Sequence, residues 1–273
     1  LTPTGAPVDL TAVSLPAGHI GLAWTAPSDR APSFYRIYRS AFAESFPAGT
    51  IPDPQFLIRD SLAARTLDNL PASDGVYYYG VTAVDSSGNE SSVSRIAGAV
   101  SDRLAPAASI VFIGTAPPLG LGAHPLQLTL SKVLASPPLL IFTPYSRLPG
   151  SISLTPSSPL IWTGTLTVTS VMNSGAGAFS FQGADFSGNV GTAITSGAAA
   201  VLDITGASGT VEISPLSPVK AGPLSVTLRL SEPVAATPVL ACRLAGGTTI
   251  PLELSGSGAL WTGSFAIPAA SDG

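Results

Sequence analysis

The sequence predicts an all-β protein built of tandem antiparallel β-sandwiches, and three observations predict it. Apolar residues recur at every second position over short stretches, as in Leu224, Val226, Leu228 and Leu230, with Ser225, Thr227, Arg229 and Ser231 between them. Those stretches are separated every 8–12 residues by Gly, Pro, Ser and Asp clusters, the punctuation of sandwiches. A block of about 100 residues also occurs twice, and such repetition marks tandem domains. Period two is the signature of a half-buried strand, its apolar face inward and its Thr or Ser face outward. With 28 Gly and 26 Pro in 273 residues, long helices are opposed, and no helical stripe is seen.

The first 101 residues stand apart from the repeat. Pro7-Val-Asp-Leu10 reads as an opening strand, and Ile20-Gly-Leu22-Ala-Trp24 as a strand with a large aromatic facing inward. Tyr35-Arg-Ile37-Tyr38-Arg39 follows, and then Tyr77-Tyr-Tyr79-Gly-Val81-Thr-Ala83-Val84 after Leu70-Pro71. Residues 7–101 resemble a fibronectin type III domain on these motifs. The resemblance implies that they are strands B, C and F, that Trp24 is a core residue, and that Tyr77 is the corner tyrosine bonding back to backbone. The stretch between Leu70 and Tyr77 is one residue longer than the family pattern.

The repeat spans the rest. Leu126 to Gly164 and Leu224 to Gly263 both end in Trp-Thr-Gly, with Trp162 and Trp261 lying 99 positions apart. Val100-Ser-Asp102 and Val201-Leu-Asp203 open the two copies. On these features, with Ala184-Asp185-Phe-Ser-Gly188-Asn189, residues 102–273 resemble bacterial immunoglobulin-like repeats of cell-surface proteins. The expected domains are 1–101, 102–199 and 200–273, and Trp24, Trp162 and Trp261 are expected in three separate cores. After Trp162 the first copy runs 29 residues to Gly191, whereas after Trp261 only 12 remain, to Asp272-Gly273. The third sandwich is therefore expected to be incomplete, its final strands belonging either to a longer chain or to a neighbouring subunit that completes the sheet.

Composition excludes several classes. A formal charge of −4 and a pI near 5.0 oppose nucleic-acid binding. Mean hydropathy is +0.42, yet the uncharged stretch 148–184 is broken by Pro149, Pro156 and Pro159, so no membrane span is expected. One cysteine precludes an intrachain disulfide, and two histidines preclude a His-rich metal site. Cys242 reads as a small buried hydrophobe, and His19 and His124 as exposed loop residues. Asp53, Asp60, Asp68 and Asp74 read as scattered loop acids with no glycosidase pairing. Catalysis and cofactors are not expected.

Two kinds of candidate site remain. Asp85-x-x-Gly88-Asn89 and Asp185-x-x-Gly188-Asn189 share one spacing, and their oxygens could join backbone carbonyls around calcium between domains. The bland reading is a turn in which Asp accepts backbone N–H bonds, and the lack of acidic clusters favours it. Tyr78, Tyr145 and Phe186 are candidates for exposed aromatics that stack on sugars or pack on a neighbour. Asn89-Glu-Ser91 is the one sequon. The function expected is a non-enzymatic structural protein of a bacterial surface, secreted, forming a rod, filament or layer. Its expected partners are copies of itself or other surface proteins, met through sheet edges and apolar faces. The alternative is an adhesive or carbohydrate-binding spacer, with glycans as the second candidate partner.

Overall fold

The structure, a computed structural model, describes residues 4–68, 71–216, 221–244 and 247–268. It is all-β: antiparallel sheets with three short 3₁₀ turns among the described residues. The chain divides into two compact units, residues 1–204 and 205–273.

The first unit holds two cores. The N-terminal sandwich comprises β1 (Val8–Ser14), β2 (Ile20–Thr25), β3 (Phe34–Ser40), β4 (Leu57–Ser61), β5 (Arg65–Asp68), β6 (Gly75–Val84) and β7 (Ala97–Ser101). One sheet has the order β1-β2-β5 and the other β4-β3-β6-β7. Alternation along each strand supplies the core: Ile20, Leu22 and Trp24 of β2 face Tyr35 and Ile37 of β3 and Tyr79, Val81 and Ala83 of β6. The Trp24 and Tyr35 rings meet edge to face at 5.2 Å. The implied strands B, C and F are thus β2, β3 and β6. The Tyr77 hydroxyl donates to the Ser73 carbonyl at 3.1 Å, the corner that the resemblance implies. Leu70 lies outside the described residues.

Asp68 is not a loop acid. It ends β5, is buried, and accepts two bonds from Arg39 (2.9 and 3.2 Å) and one from the Tyr79 hydroxyl (2.8 Å). Burial, reinforced by Asp68, pushes the Tyr79 hydroxyl well above its ordinary pKa. A charge at this depth is tolerable because one guanidinium nitrogen, reaching both carboxylate oxygens, and the phenol satisfy it. Sequence reasoning missed this trio because its members lie far apart along the chain.

The second sandwich comprises β8 (Ala107–Phe112), β9 (Gly122–Leu130), β10 (Leu139–Thr143), β11 (Gly150–Ile152), β12 (Leu154–Ser158), β13 (Ile161–Val168), β14 (Gly175–Ala184), β15 (Val190–Gly191), β16 (Ala193–Ser196) and β17 (Ala199–Leu202). One sheet runs β12-β13-β9-β8-β16 and the other β11-β10-β14-β15, with β17 also paired to β14. Every pairing is antiparallel except that of β16 with β8. Leu126, Leu128 and Leu130 of β9 pack against Leu140, Phe142, Phe179 and Phe181 of the facing sheet. Trp162 packs on this core from its side and is only half-buried. The expected boundary at 199/200 falls inside β17, whose Ala200 and Leu202 are buried in this core.

The second unit comprises β18 (Gly209–Ser214), β19 (Gly222–Val234), β20 (Leu240–Arg243), β21 (Thr249–Leu252) and β22 (Leu254–Ile267), in sheets β18-β19-β22 and β20-β21. Strand pairing reproduces the repeat. Trp162 stands opposite Leu128 and Trp261 opposite Leu228; Leu140 stands opposite Ile152 and Leu240 opposite Leu252. Trp261 is buried, and its indole N–H donates to the Gly258 carbonyl at 3.0 Å. Asp272 and Gly273 lie outside the described residues.

Candidate functional site

The two Asp-x-x-Gly-Asn segments form the same turn. Asp85 Oδ1 accepts from the backbone N–H of Ser87 (2.8 Å) and Asn89 (3.0 Å), while the Asn89 amide donates to Oδ2 at 3.0 Å. Asp185 Oδ1 likewise accepts from Ser187 and Asn189, both at 2.9 Å, and its Oδ2 accepts from the Asn189 amide at 3.0 Å. Gly88 and Gly188 stand at φ +80° and +81°, a conformation that only glycine adopts freely.

A basic side chain completes each turn. Arg30 lies 3.7 Å from Asp85 Oδ2, and the Lys132 ammonium lies 3.1 Å from Asp185 Oδ2. Lys132 also bonds both carboxylate oxygens of Asp102, at 2.5 and 2.6 Å. The oxygens offered to a calcium ion by sequence are thus engaged by N–H donors and a cation of the protein itself. Hydrogen bonds led by the Asn89 side chain hold the Asp85 carboxyl below its ordinary range. Burial raises the Asp185 carboxyl, but Asn189 and Lys132 outweigh it and hold the group low. Burial likewise opposes the charge on Lys132, yet Asp102 and Asp185 keep its pKa above the usual value.

The Asp185 turn differs from its twin in what it touches. It lies where the first two sandwiches meet inside the first unit. Asn189 Oδ1 accepts the backbone N–H of Ala17 at 2.8 Å, and the Asn189 amide also donates to the Asp102 carbonyl at 3.0 Å. Ala17 belongs to the 3₁₀ turn Pro16–Gly18 ahead of β2 and sits at φ +61°, a strained position for alanine. A Cβ on Gly188 would come 3.1 Å from the Pro16 ring. One buried asparagine therefore ties the first sandwich, the five-residue connection 102–106 and the second sandwich together. A shallow cleft beside this joint is lined by Val100, Lys132, Val133, Leu160 and Phe186.

Sequence reasoning found Asp185 and Asn189 but missed Lys132 and Ala17. Lysine is so scarce in this chain (Lys132 and Lys220) that a lysine two residues after the Leu126-Leu128-Leu130 alternation was a usable signal. No sequence feature marks Ala17.

The structure does not gather the aromatic candidates. Phe186 is 75% exposed at the joint, and Tyr145 is 57% exposed beyond β10 with its ring against Gly175. Tyr78 is only half-buried on β6, lying against Gly98. Among the described residues none of the three takes part in a ring pair. His124 is a correction: it is buried within β9, with Nε2 2.8 Å from the Gly120 carbonyl. His19 is half-buried at the end of the Pro16–Gly18 turn. The sequon is engaged too, since the Asn89 amide holds Asp85 and Ser91 is buried, accepting from Ala83 N–H at 2.9 Å. Among the described residues no three His, Cys, Asp or Glu side chains cluster to hold a metal, and no helix is long and apolar enough to cross a membrane.

No family model and no curated protein matches the chain. Solved structures similar to it include a tetra-tandem repeat in the extending region of a large adhesion protein (17% identity, 97% of this chain and 67% of that one, TM-score 0.32). Three FN domains of chicken CNTN1 are similar at 16% identity, covering 98% of this chain and 95% of that one, with a TM-score of 0.28. A three-Ig structure of a titin variant is similar at 9% identity, covering 99% and 89%, with a TM-score of 0.36. The fold assignment rests on the strand pairing described above.

Proposed function

We propose that the chain is a non-enzymatic structural segment of a secreted bacterial surface protein, in which a fibronectin type III domain is followed by two immunoglobulin-like repeats. Its task on this reading is to hold a fixed spacing within a filament or layer. The observation that carries it is the joint at Asn189, where three segments are cross-linked by buried hydrogen bonds and a Lys132–Asp102–Asp185 ion cluster. A flexible tether would not need a lysine held by two carboxylates, nor a strained alanine held by an asparagine. A non-catalytic role is supported by the dispersal of the titratable groups: the buried acids are each satisfied by a local Arg, Lys or Asn partner. Copies of the chain or other surface proteins, met through sheet edges, are the proposed partners.

The exposed Phe186 and Tyr145 favour the second reading, an adhesive or glycan-binding spacer. The two separate on purified protein. Sedimentation under native conditions, together with a glycan array, is expected to show assembly without glycan signal. A glycan signal abolished by Tyr145→Ala or Phe186→Ala, with no assembly, would establish the second reading instead.

A further inference from the structure

Among the described residues no strand of the second sandwich carries an Asp, Glu, Lys or Arg. Strands of the first sandwich do, at Arg36, Arg39, Arg59 and Asp60, and so do strands of the second unit, at Glu212 and Arg229. The contrast is sharpest on one face. On the outward side of the sheet β12-β13-β9-β8, Thr155, Thr163, Gln127 and Val111 stand in one row across four strands. The register of the second copy puts Thr262, Thr227 and Glu212 in the matching row, with Arg229 where the first copy has Thr129. Glu212 and Arg229 form an exposed ion pair at 3.5 Å, the ordinary provision of a solvated sheet face. In place of that acid the first copy has Val111, which is 60% exposed. The polar groups of this face are already paired within it. The Thr155 and Thr163 hydroxyls lie 3.1 Å apart, and the Gln127 amide donates to the Thr129 hydroxyl at 3.1 Å. Covering the face therefore breaks no ion pair and leaves these groups satisfied, so burial costs little. Beside the row, Ile113, Pro125, Thr155 and Thr165 line a shallow groove of about 540 Å³.

We propose that this uncharged face is an interaction surface that takes the same face of another molecule of this chain, in a two-fold contact. Charge identifies the partner. A surface without charge loses least against another such surface, and in this chain the second sandwich supplies one. The matching face of the second copy is a poorer partner, because it would bury the Glu212–Arg229 pair against apolar and hydroxyl groups and desolvate two charges without return. A nucleic acid or an anionic lipid surface would find no cation on these strands. A glycan would find no outward aromatic on them, since Phe112 and Trp162 pack on the core. The inference rests on the reading that copies of this chain meet in an assembly, and it names the face through which they do so.

The test gives the first copy the residues that the second already carries. Val111→Glu with Thr129→Arg installs the ion pair in a register that holds it at 212 and 229, so the fold is expected to persist, as circular dichroism checks. The control is Ser180→Glu, an exposed position on β14 in the other sheet. Sedimentation of the full chain over a range of concentrations is expected to show reversible association in the wild type and in Ser180→Glu. The double variant is expected to weaken that association about tenfold or more. Low and high sodium chloride should give the same wild-type affinity, because the contact holds no charge to be screened. Association that falls steeply with salt would overturn the inference. So would association unchanged in the double variant, or weakened as much by Ser180→Glu, while assembly through another surface would still stand. A wild type that is monomeric at every concentration would overturn both the inference and the assembly reading. Retention of that monomer on cellulose, lost in the double variant, would overturn them in favour of a glycan.

Discussion

Asn189 accepts a 2.8 Å hydrogen bond from the backbone N–H of Ala17, a residue 172 positions earlier in the chain. The bond joins a turn of the second sandwich to a turn of the first, and the same asparagine reaches the connection between them through the Asp102 carbonyl. Because Asn189 is buried, removing its amide leaves polar groups without partners as well as breaking three bonds. Asn189→Ala is expected to lower stability by about 1–3 kcal/mol. Chemical denaturation followed by circular dichroism measures it. A loss no larger than that of the matching Asn89→Ala variant would mean that the contact with Ala17 adds nothing.

The ion cluster at the joint predicts a pH dependence. The Asp185 carboxyl is held below its ordinary value in the folded chain, so its contribution is fully present above about pH 4, the unfolded value. It is lost as pH falls through the lower folded value. Lys132 has the opposite sign: its folded pKa is raised, so its contribution is present below about pH 10 and lost as pH rises through the folded value. Tm is therefore expected to fall at both extremes. In Asp185→Asn the acid limb should be shallower than in the wild type. An unchanged acid limb in that variant would remove Asp185 from the account.

Calcium is expected to leave Tm unchanged. Asp185 Oδ1 is saturated by two backbone N–H groups, and Oδ2 faces the Lys132 ammonium at 3.1 Å, so a divalent ion would have to displace a cation already in place. Calorimetry with millimolar calcium and with chelator tests this. A rise of many degrees, reversed by chelator, would contradict it.

The tryptophans are expected to rank by burial. Trp24 is 6% exposed and packs edge-on against Tyr35, so Trp24→Ala is expected to cost about 3–5 kcal/mol. Trp162 lies half-buried on the flank of its core, so Trp162→Ala should cost clearly less. Equal losses would mean that the flank position is as enclosed as the core one.

Much of this architecture was legible because period two and the repeat are local signals. Leu224 to Leu230 announce a strand within seven residues, and the 99-residue spacing of Trp162 and Trp261 anticipates their matching partners Leu128 and Leu228. The Asp185 turn was legible for the same reason, its bonds closing within four residues. What lay hidden depends on distant chain segments meeting. Lys132 reaches Asp102 and Asp185 across 30 and 53 positions, and Asp68 is paired by Arg39 and Tyr79 of the other sheet. His124 misled because Gly-Ala-His-Pro reads as a loop, whereas those residues open β9, with Gly122 at φ +128° starting the strand. The position of β17 could not be read either, since Val201-Leu-Asp203 resembles the opening of the second copy, yet Val201 and Leu202 pair with β14 of the first.

The joint between the first two sandwiches is held by the Asn189 and Lys132 side chains as well as by the short connection 102–106. Spin labels placed on exposed positions of β1 and β13 in the full chain, read by pulsed electron resonance, test it most directly. One narrow distance distribution is expected in the wild type, and a broad one in a variant carrying Asn189→Ala and Lys132→Met with both sandwiches still folded by circular dichroism. A wild-type distribution as broad as that of the variant would contradict it.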